Sequence, residues 1–452
     1  MNILKFSQIV EWTEGVVLGD SMFSESIYSI TTDSRKVKQG DLFIAIKGEH
    51  FDGNHFVDMA LDNGAVAVLS SISHKSPRVI TVPDTVKALG KLASGYRDML
   101  DIPVISITGS SGKTTTKDMI FYALNSQCNA YRTEGNFNNE IGMPLTILNS
   151  DEEHDVMILE MGMSSLGEIE YLCSIAKPNI GVITNIGTAH LEQLGSQEKI
   201  FEAKMEITSF MHEKDILLVN GEDKFLRNLD KDVYQPMIKT FGFSNSCDYF
   251  CKNYDYREDS TDICAMIDGL EVNYTIPSLG KHNILNSLAA LGVASVLQMD
   301  LQKAAKSLID FQPSKLRMQI EKKDGITIIN DSYNANPDSV KSVLSILAEK
   351  NNVRRIAILG DMLELGRDSD KYHRQIGECA AHSCDILIGI GMFSDYMREG
   401  ALEHGMDEGF CYSFRTQEES VTTIKDIMRV GDVVLLKGSR GMAMEKLIDL
   451  IF

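Results

Sequence analysis

The sequence has no apolar run of the roughly 18 residues that a bilayer-spanning helix needs, so no such helix is expected. Its opening stretch, MNILKFSQIVEWTEG, places polar side chains and Glu11 where an export signal would need an unbroken apolar segment. Cys128, Cys173, Cys247, Cys251, Cys264, Cys379, Cys384 and Cys411 are scattered, and no two stand at CxxC spacing. A zinc site is therefore not indicated, and reduced, mostly buried thiols in a cytoplasmic protein are expected. There is no internal repeat and no low-complexity linker. Positive charge is the scarcer sign, leaving a net charge of −20. That excess repels nucleic acid and anionic membrane, so neither is expected as a partner. A phosphorylated substrate remains possible, because a few backbone N–H groups and cations can hold phosphate locally.

What is present fits a globular protein of several domains. The chain has 452 residues, 43% apolar and 24% charged. That length is too great for one ordinary core and suggests about two to four domains. Residues 1–98 mix short strands and helices. Asp41 to Ile46 and Ala65 to Ser71 read as strands, with a helical stretch between them that Gly64 closes. Residues 99–313 alternate strand and helix. PVISITG, DVMILEMG, NIGVITNIG and DILLVNGED are short runs rich in Val, Ile and Leu, each ending in polar or glycine residues. This alternation predicts a doubly wound, mostly parallel sheet. Residues 247–277 lack the rhythm and are expected to form a small antiparallel or irregular insert. Residues 314–452 repeat the alternation in GITIIND, VRRIAILGD, CDILIGIG and GDVVLLKGS, a second α/β unit. The fold class is α/β in three domains, and the polar residues at strand ends are where chemistry is expected.

The strongest motif is Thr108-Gly109-Ser110-Ser111-Gly112-Lys113-Thr114-Thr115-Thr116. It follows a strand and opens a helix, as a phosphate loop must. Gly109 and Gly112 allow a tight turn whose backbone N–H groups face oxygen. The helix adds its positive end. Lys113 reaches the outer phosphates, and a hydroxyl of Thr114 or Thr115 binds Mg²⁺. The spacing is two residues shorter than the general pattern, a compressed variant. A plain Gly-Ser turn is the alternative, but strand, loop and helix together favour a nucleotide triphosphate.

Glu160 closes the strand one step on from this loop, a suitable place to hold Mg²⁺ opposite a threonine hydroxyl. A strand-end glutamate by itself is usually solvated. His190 follows another strand end and reads equally as structural or as a ligand. Lys204, in KIFEAKMEI, reads on its own as a surface lysine. Asp151-Glu152-Glu153 reads as a solvated loop, and Met157, Met161 and Met163 as packing. Asp361 and Glu364, with His373 nearby, belong either to an amine-substrate pocket or to a strand-to-helix turn.

TGSSGKTTTK, NFNNEIGMP, LEMG, TNIGTAHLE, EAKMEI and GKHNILNSLAA stand in an order and spacing that together resemble the Mur ligases. DSYNANPDS, GDMLELG and KGSRGM resemble the MurF type within that family, and the likeness covers nearly the whole chain. It implies a cytoplasmic enzyme of peptidoglycan precursor synthesis. Such an enzyme uses ATP to join D-alanyl-D-alanine to UDP-MurNAc-tripeptide through an acyl-phosphate. It also implies roles residue by residue. Gly109, Ser110, Ser111, Gly112, Lys113, Thr114 and Thr115 would hold the phosphates. Thr114 and Glu160 would hold a first Mg²⁺, and His190 would help hold a second. Lys204 matches a lysine that the family carries as a carbamate, which would turn a cation into a carboxylate-like ligand. Asn283 and Asn286 match an adenine-contacting segment. Arg317, Tyr333, Asn334 and Asn336 match positions where the third domain closes over the nucleotide, residues 314–452 forming a Rossmann-like domain that also binds the amine. Residues 1–98 would bind the UDP-sugar through TTDSRKVKQGDLFIAIKGEHFDGNHF, with Ser34, Arg35, Asp52, Gly53 and His55 as contacts. A monomer is expected. One departure is Leu316, which stands where members often carry glycine before the arginine. Two other readings are a related ligase, adding a single amino acid or extending folate with glutamate, and a nucleotide-dependent switch protein. The third α/β domain and the absence of a partner-binding tail weigh against the switch.

Overall fold

A computed structural model describes residues 1–48, 51–230 and 232–452. Three sheets of four, nine and six strands follow one another along the chain, with a separate two-stranded pair near the start. No helix among the described residues is long and apolar enough to cross a membrane.

The central sheet is made of short runs of branched apolar residues. Val104–Thr108, Val156–Glu160 and Ile180–Ile183 are buried along their whole length, as parallel strands covered on both faces must be. Val104–Thr108 lies between the other two, parallel to both. The chain leaves it for the edge strand Ala130–Arg132, returns through Val156–Glu160, then crosses to Ile180–Ile183 on the far side. Such a reversal of strand order opens a crevice at the carboxyl ends of the strands, where open α/β sheets bind ligands.

Residues 247–277 are antiparallel, as expected, but they are not a separate insert. Tyr249–Tyr256, Thr261–Ile267 and Leu270–Ile276 form a meander, and the first of these pairs in parallel with Met237–Gly242. The meander thus extends the central sheet to nine strands. Its alternate residues, Ile263, Ala265 and Ile267 among them, are buried in the same core as the helix Lys281–Val296. That period-two burial is the strand signature the composition had masked.

In the N-terminal unit, Ser29–Thr31, Asp41–Ile44, Ala67–Ser70 and Val79–Thr81 form an all-parallel sheet. The helix Thr85–Met99 joins this unit to the central one, and one apolar core runs continuously through both. Tyr96 Oη donates to Ser150 O at 2.6 Å, and the buried Arg97 guanidinium donates to the carbonyls of Leu100, Ile102 and Ala176. A buried guanidinium is tolerable only when its N–H groups are satisfied in this way.

The C-terminal sheet is parallel across Ile326–Asn330, Val433–Lys437, Arg355–Gly360, Ile386–Ile390 and Cys411–Phe414, with Gln319–Lys323 as an antiparallel edge. The link into it is pinned to the phosphate-loop helix, since Ser314 Oγ donates to Asp118 Oδ2 at 2.6 Å. Leu316 has φ +62°, the left-handed backbone for which glycine is the natural choice. The path is kept without glycine because Leu316 N donates to Gln319 Oε1 and its carbonyl accepts from Tyr333 N.

Candidate active site

Thr108 ends its strand, residues 109–112 turn, and the helix Lys113–Asn125 begins. Gly109 has φ +149°, and a side chain there would strike the Thr184 hydroxyl; Gly112 has φ +79° and lies against Asn286. Both positions therefore require glycine. The neighbouring strand end holds the loop in shape. Ser110 N donates to Asn185 O at 3.1 Å and Ser111 N to Asn185 Oδ1 at 3.0 Å. Thr184 Oγ1 donates to Ser111 O at 2.6 Å. The amides of Ser110 and Ser111 are thus engaged with Asn185, and the helix-opening amides of residues 113–115 are left without intrahelical partners. Lys113 Nζ donates to Gly109 O at 2.7 Å, and burial holds its pKa below the ordinary lysine value, partly offset by Glu160.

The loop forms one wall of a cavity of about 570 Å³ between the central and C-terminal sheets. Thr114, Thr115, Glu160, His190, Asn283, Asn286, Arg317, Tyr333, Asn334 and Asn336 all line it. Glu160 is 3% exposed; its Oε1 accepts from Asn138 Nδ2 at 3.0 Å, while its buried Oε2 has no hydrogen-bond partner and faces the Lys117 ammonium at 4.0 Å. At 4.0 Å that ammonium is too far to hydrogen-bond, so Oε2 keeps a lone pair for a closer ligand.

Lys204 is not a surface residue. It is 2% exposed, on the helix Gln197–Met205, and no carboxylate pairs with it among the described residues. Burial, with the Lys113 charge added, pulls its pKa well below the ordinary lysine value. Packing of that helix against the central unit overrides what its weak amphipathicity suggested.

His190 precedes the short helix Leu191–Leu194 with φ +62°. Its Nδ1 lies 2.8 Å from Glu364 Oε2, not in line for a hydrogen bond. Burial pulls its pKa down, against the pull of Glu364. Nearby, Asp338 Oδ2 accepts from Thr188 N at 3.0 Å and from Thr188 Oγ1 at 3.2 Å. The C-terminal sheet is therefore docked on the loop that carries His190.

Several cavity residues also have structural work. Asn286 Oδ1 accepts from Thr116 Oγ1, tying the helix Lys281–Val296 to the phosphate-loop helix, and Asn286 Nδ2 donates to Asn283 Oδ1 within its own helix. Asn336 caps the helix Pro337–Ala348 in a reciprocal pair with Ser339. The Arg317 guanidinium sits 4.1 Å from the centre of the Tyr333 ring, and its buried Nε is unpartnered. Lys437 Nζ donates to Asp331 Oδ2 at 2.5 Å and to Asn334 O at 2.9 Å. Beside them, burial takes the His282 pKa down to about 4. Asn138, Asn185, His282, Asp331 and Lys437 were not singled out from sequence, although all lie in or beside the motifs quoted above.

The N-terminal residues lie away from this cavity. Ser34 and Asp52 sit on loops that leave the carboxyl ends of neighbouring parallel strands, where that sheet would bind a ligand. Ser34 is buried, while Arg35 and His55 are exposed. Arg35 makes two 2.9 Å hydrogen bonds to Asp33, whose pKa they hold down to about 2. Asp52 accepts from Asn54 N at 2.9 Å, and a side chain at Gly53 would press on the Ile46 carbonyl. Glu49 and His50 of that segment lie outside the described residues.

Three family models match in turn: "Mur ligase family, catalytic domain" at residues 26–97, "Mur ligase middle domain" at 107–294, and "Mur ligase, glutamate ligase domain" at 316–440. The UDP-N-acetylmuramoyl-tripeptide–D-alanyl-D-alanine ligase of Bacillus subtilis (strain 168) is 38% identical over 451 residues, 98% of this chain and 97% of that one. This chain belongs to the Mur ligase family. Among solved Mur ligases, MurF from Acinetobacter baumannii superposes with a TM-score of 0.93 at 30% identity, covering 100% of this chain and 99% of that one. MurF from Thermotoga maritima in complex with ADP gives 0.84 at 30% identity, covering 94% and 96%.

Within this Mur ligase, the two readings of GDMLELG separate. Asp361 accepts from the amides of Met392 and Phe393. His373 is fully buried; its Nε2 accepts from Met362 N at 2.9 Å and its Nδ1 lies 2.6 Å from Ser369 O. Both residues build the turn. Glu364 alone of the three faces the central unit.

Proposed function

We propose that the protein is an ATP-dependent ligase that joins the amine of D-alanyl-D-alanine to the free carboxylate of UDP-MurNAc-tripeptide, releasing ADP and phosphate, in peptidoglycan precursor synthesis. The likeness to ligases of that name over nearly the whole chain supports the substrates. One observation carries the chemistry: a phosphate loop and a buried carboxylate oxygen without a hydrogen bond line one interdomain crevice, and a buried lysine with no carboxylate partner among the described residues lies within electrostatic reach of Lys113.

A carboxylate and an amine do not condense in water at useful rates, because the departing oxygen is a poor leaving group. Transfer of the γ-phosphoryl group of ATP to that oxygen makes an acyl-phosphate. The amine then attacks the acyl carbon, a tetrahedral intermediate forms, and the C–O bond breaks to release phosphate. The phosphoryl step needs charge neutralisation more than covalent help. Lys113 would supply part of it at the outer phosphates. The amides that open its helix, with Ser110, Ser111, Thr114 and Thr115, would cradle the rest. Asn283, Asn286, Arg317, Tyr333, Asn334 and Asn336 would enclose the base and ribose.

The residues present fit Mg²⁺. Thr114 and Glu160 would hold one ion through the hydroxyl and the free Oε2; His190 and a carbamate on Lys204 would hold a second. Bound there, the ions would neutralise phosphate charge. Lys204 suits carbamate formation because only a neutral amine attacks CO₂, and its burial beside Lys113 favours that form. The crevice lies between two units already in contact, and fuller closure over the substrates would keep water from a hydrolysable intermediate.

In this reading residues 1–98 bind the UDP-sugar through Ser34, Arg35, Asp52, Gly53 and His55. Residues 99–313 bind ATP, and residues 314–452 close over the nucleotide and receive the amine. The enzyme works in the cytoplasm as a monomer, without nucleic acid or membrane insertion. The test is ADP release with UDP-MurNAc-tripeptide and D-alanyl-D-alanine, each omitted in turn, and with single amino acids or glutamate in place of the dipeptide. ADP should form only with both named substrates. Equal turnover with a single amino acid would assign another ligase, and substrate-independent turnover would assign a switch.

A further inference from the structure

The loop from Asp361 to Gly366 is fixed at almost every point. Asp361 holds the amides of Met392 and Phe393, His373 accepts from the amide of Met362, and Ser439 Oγ accepts from Leu363 N at 2.8 Å. Leu365 is buried in the C-terminal core. Leu363 and Glu364 are the exposed residues of this stretch, and Glu364 stands at φ +63°, a left-handed backbone that glutamate rarely adopts. Its side chain is half exposed and, among the described residues, has no hydrogen-bond or ion-pair partner within its own unit. It meets His190, itself left-handed at φ +62°, across the crevice. Glu192 N donates to Glu364 O at 3.2 Å, so the two strained segments are joined by backbone as well. Strain of this kind persists only where the surroundings enforce it, and it concentrates at working sites.

We propose that Glu364 is the positioning residue for His190, delivered by docking of the C-terminal unit. The inference rests on the reading of His190 as a participant in the ligase reaction. A histidine that coordinates through one ring nitrogen almost always gives the N–H of the other to a carboxylate or carbonyl, which fixes ring orientation and tautomer. Glu364 Oε2 stands opposite Nδ1, which directs Nε2 away from the C-terminal loop. A small rotation of either side chain aligns the contact, as happens when a site tightens around its substrates. An open arrangement removes Glu364, so His190 is set only when the crevice is closed and the acyl-phosphate is protected.

The test compares Glu364→Ala, Glu364→Gln and His190→Ala with the double variant. Glu364→Ala should lower kcat by about 10- to 100-fold while KM for ATP stays within about twofold. Glu364→Gln, which keeps an acceptor, should recover part of the loss. Added to His190→Ala, Glu364→Ala should cost less than about twofold more. With nucleotide and UDP-MurNAc-tripeptide bound in the absence of Mg²⁺, side-chain ¹⁵N NMR of His190 should show Nδ1 protonated in the wild type and a tautomer mixture in Glu364→Ala. Wild-type kcat in Glu364→Ala, a loss that persists in full without His190, or an unchanged His190 tautomer would overturn the inference. Wild-type turnover in His190→Ala would instead remove the reading of His190 on which it rests.

Discussion

The amine of Lys204 is fully buried within the electrostatic reach of Lys113, and the Lys113 charge adds to burial in weakening its hold on a proton. Burial lowers the pKa of both lysines, but Glu160 offsets part of the effect at Lys113, whereas at Lys204 the Lys113 charge adds to it.

Lys204→Ala should therefore lower turnover by about 100-fold, and added formate or acetate should restore part of it by occupying the place of the carbamate. Full activity without rescue would exclude the carbamate. Lys204→Met should separate stability from activity. The unfolded chain keeps a proton on this lysine up to the ordinary value of 10.5, whereas the folded chain releases it well below. Between those values the unfolded state binds the extra proton, so stability of the CO₂-free wild type rises with pH across that window. Lys204→Met should lack that slope and, in the lower part of the window, should be more stable by about 1–3 kcal/mol, measured by denaturant titration at several pH values.

Lys113→Ala should cut kcat by about 100- to 1,000-fold or more and leave the fold intact. Its contacts are to the loop carbonyl of Gly109, not to the core. Circular dichroism and thermal unfolding, read beside ADP release, distinguish a lost catalyst from a lost fold.

Glu160→Gln keeps the acceptor that meets Asn138 but replaces the free Oε2 with an amide NH₂. The variant should fold normally and need about 10- to 100-fold more Mg²⁺ for half-maximal rate. An unchanged Mg²⁺ requirement would remove Glu160 from the ion site.

Leu316→Gly and Leu316→Ala form a matched pair. Both remove the side chain, but only glycine is at ease at φ +62°. Glycine should be the more stable by about 1 kcal/mol, although its flexible unfolded chain works against it. Alanine proving more stable would mean that the backbone relaxes away from this conformation.

The chemistry of the phosphate loop was legible because it is local: two glycines, a lysine and three threonines between a strand and a helix admit few geometries. Glu160 was legible because strand order brings its end beside the loop. Lys204 was legible only by resemblance, since its burial comes from tertiary packing that a short, weakly amphipathic helix does not announce. The meander at residues 247–277 was misjudged as an insert because its exposed faces carry Lys252, Asn253 and Glu271, which dilute the period-two pattern. The partners of Glu364 and Asp338 stand about 150 residues or more away along the chain. No sequence spacing could pair them with His190 and Thr188.

The central claim is that the tripeptide carboxylate itself receives the phosphoryl group. Tripeptide labelled with ¹⁸O in that carboxylate, turned over with ATP and D-alanyl-D-alanine, tests it directly. The account predicts one ¹⁸O in each phosphate released, with the other kept in the new amide carbonyl; phosphate free of label would contradict it.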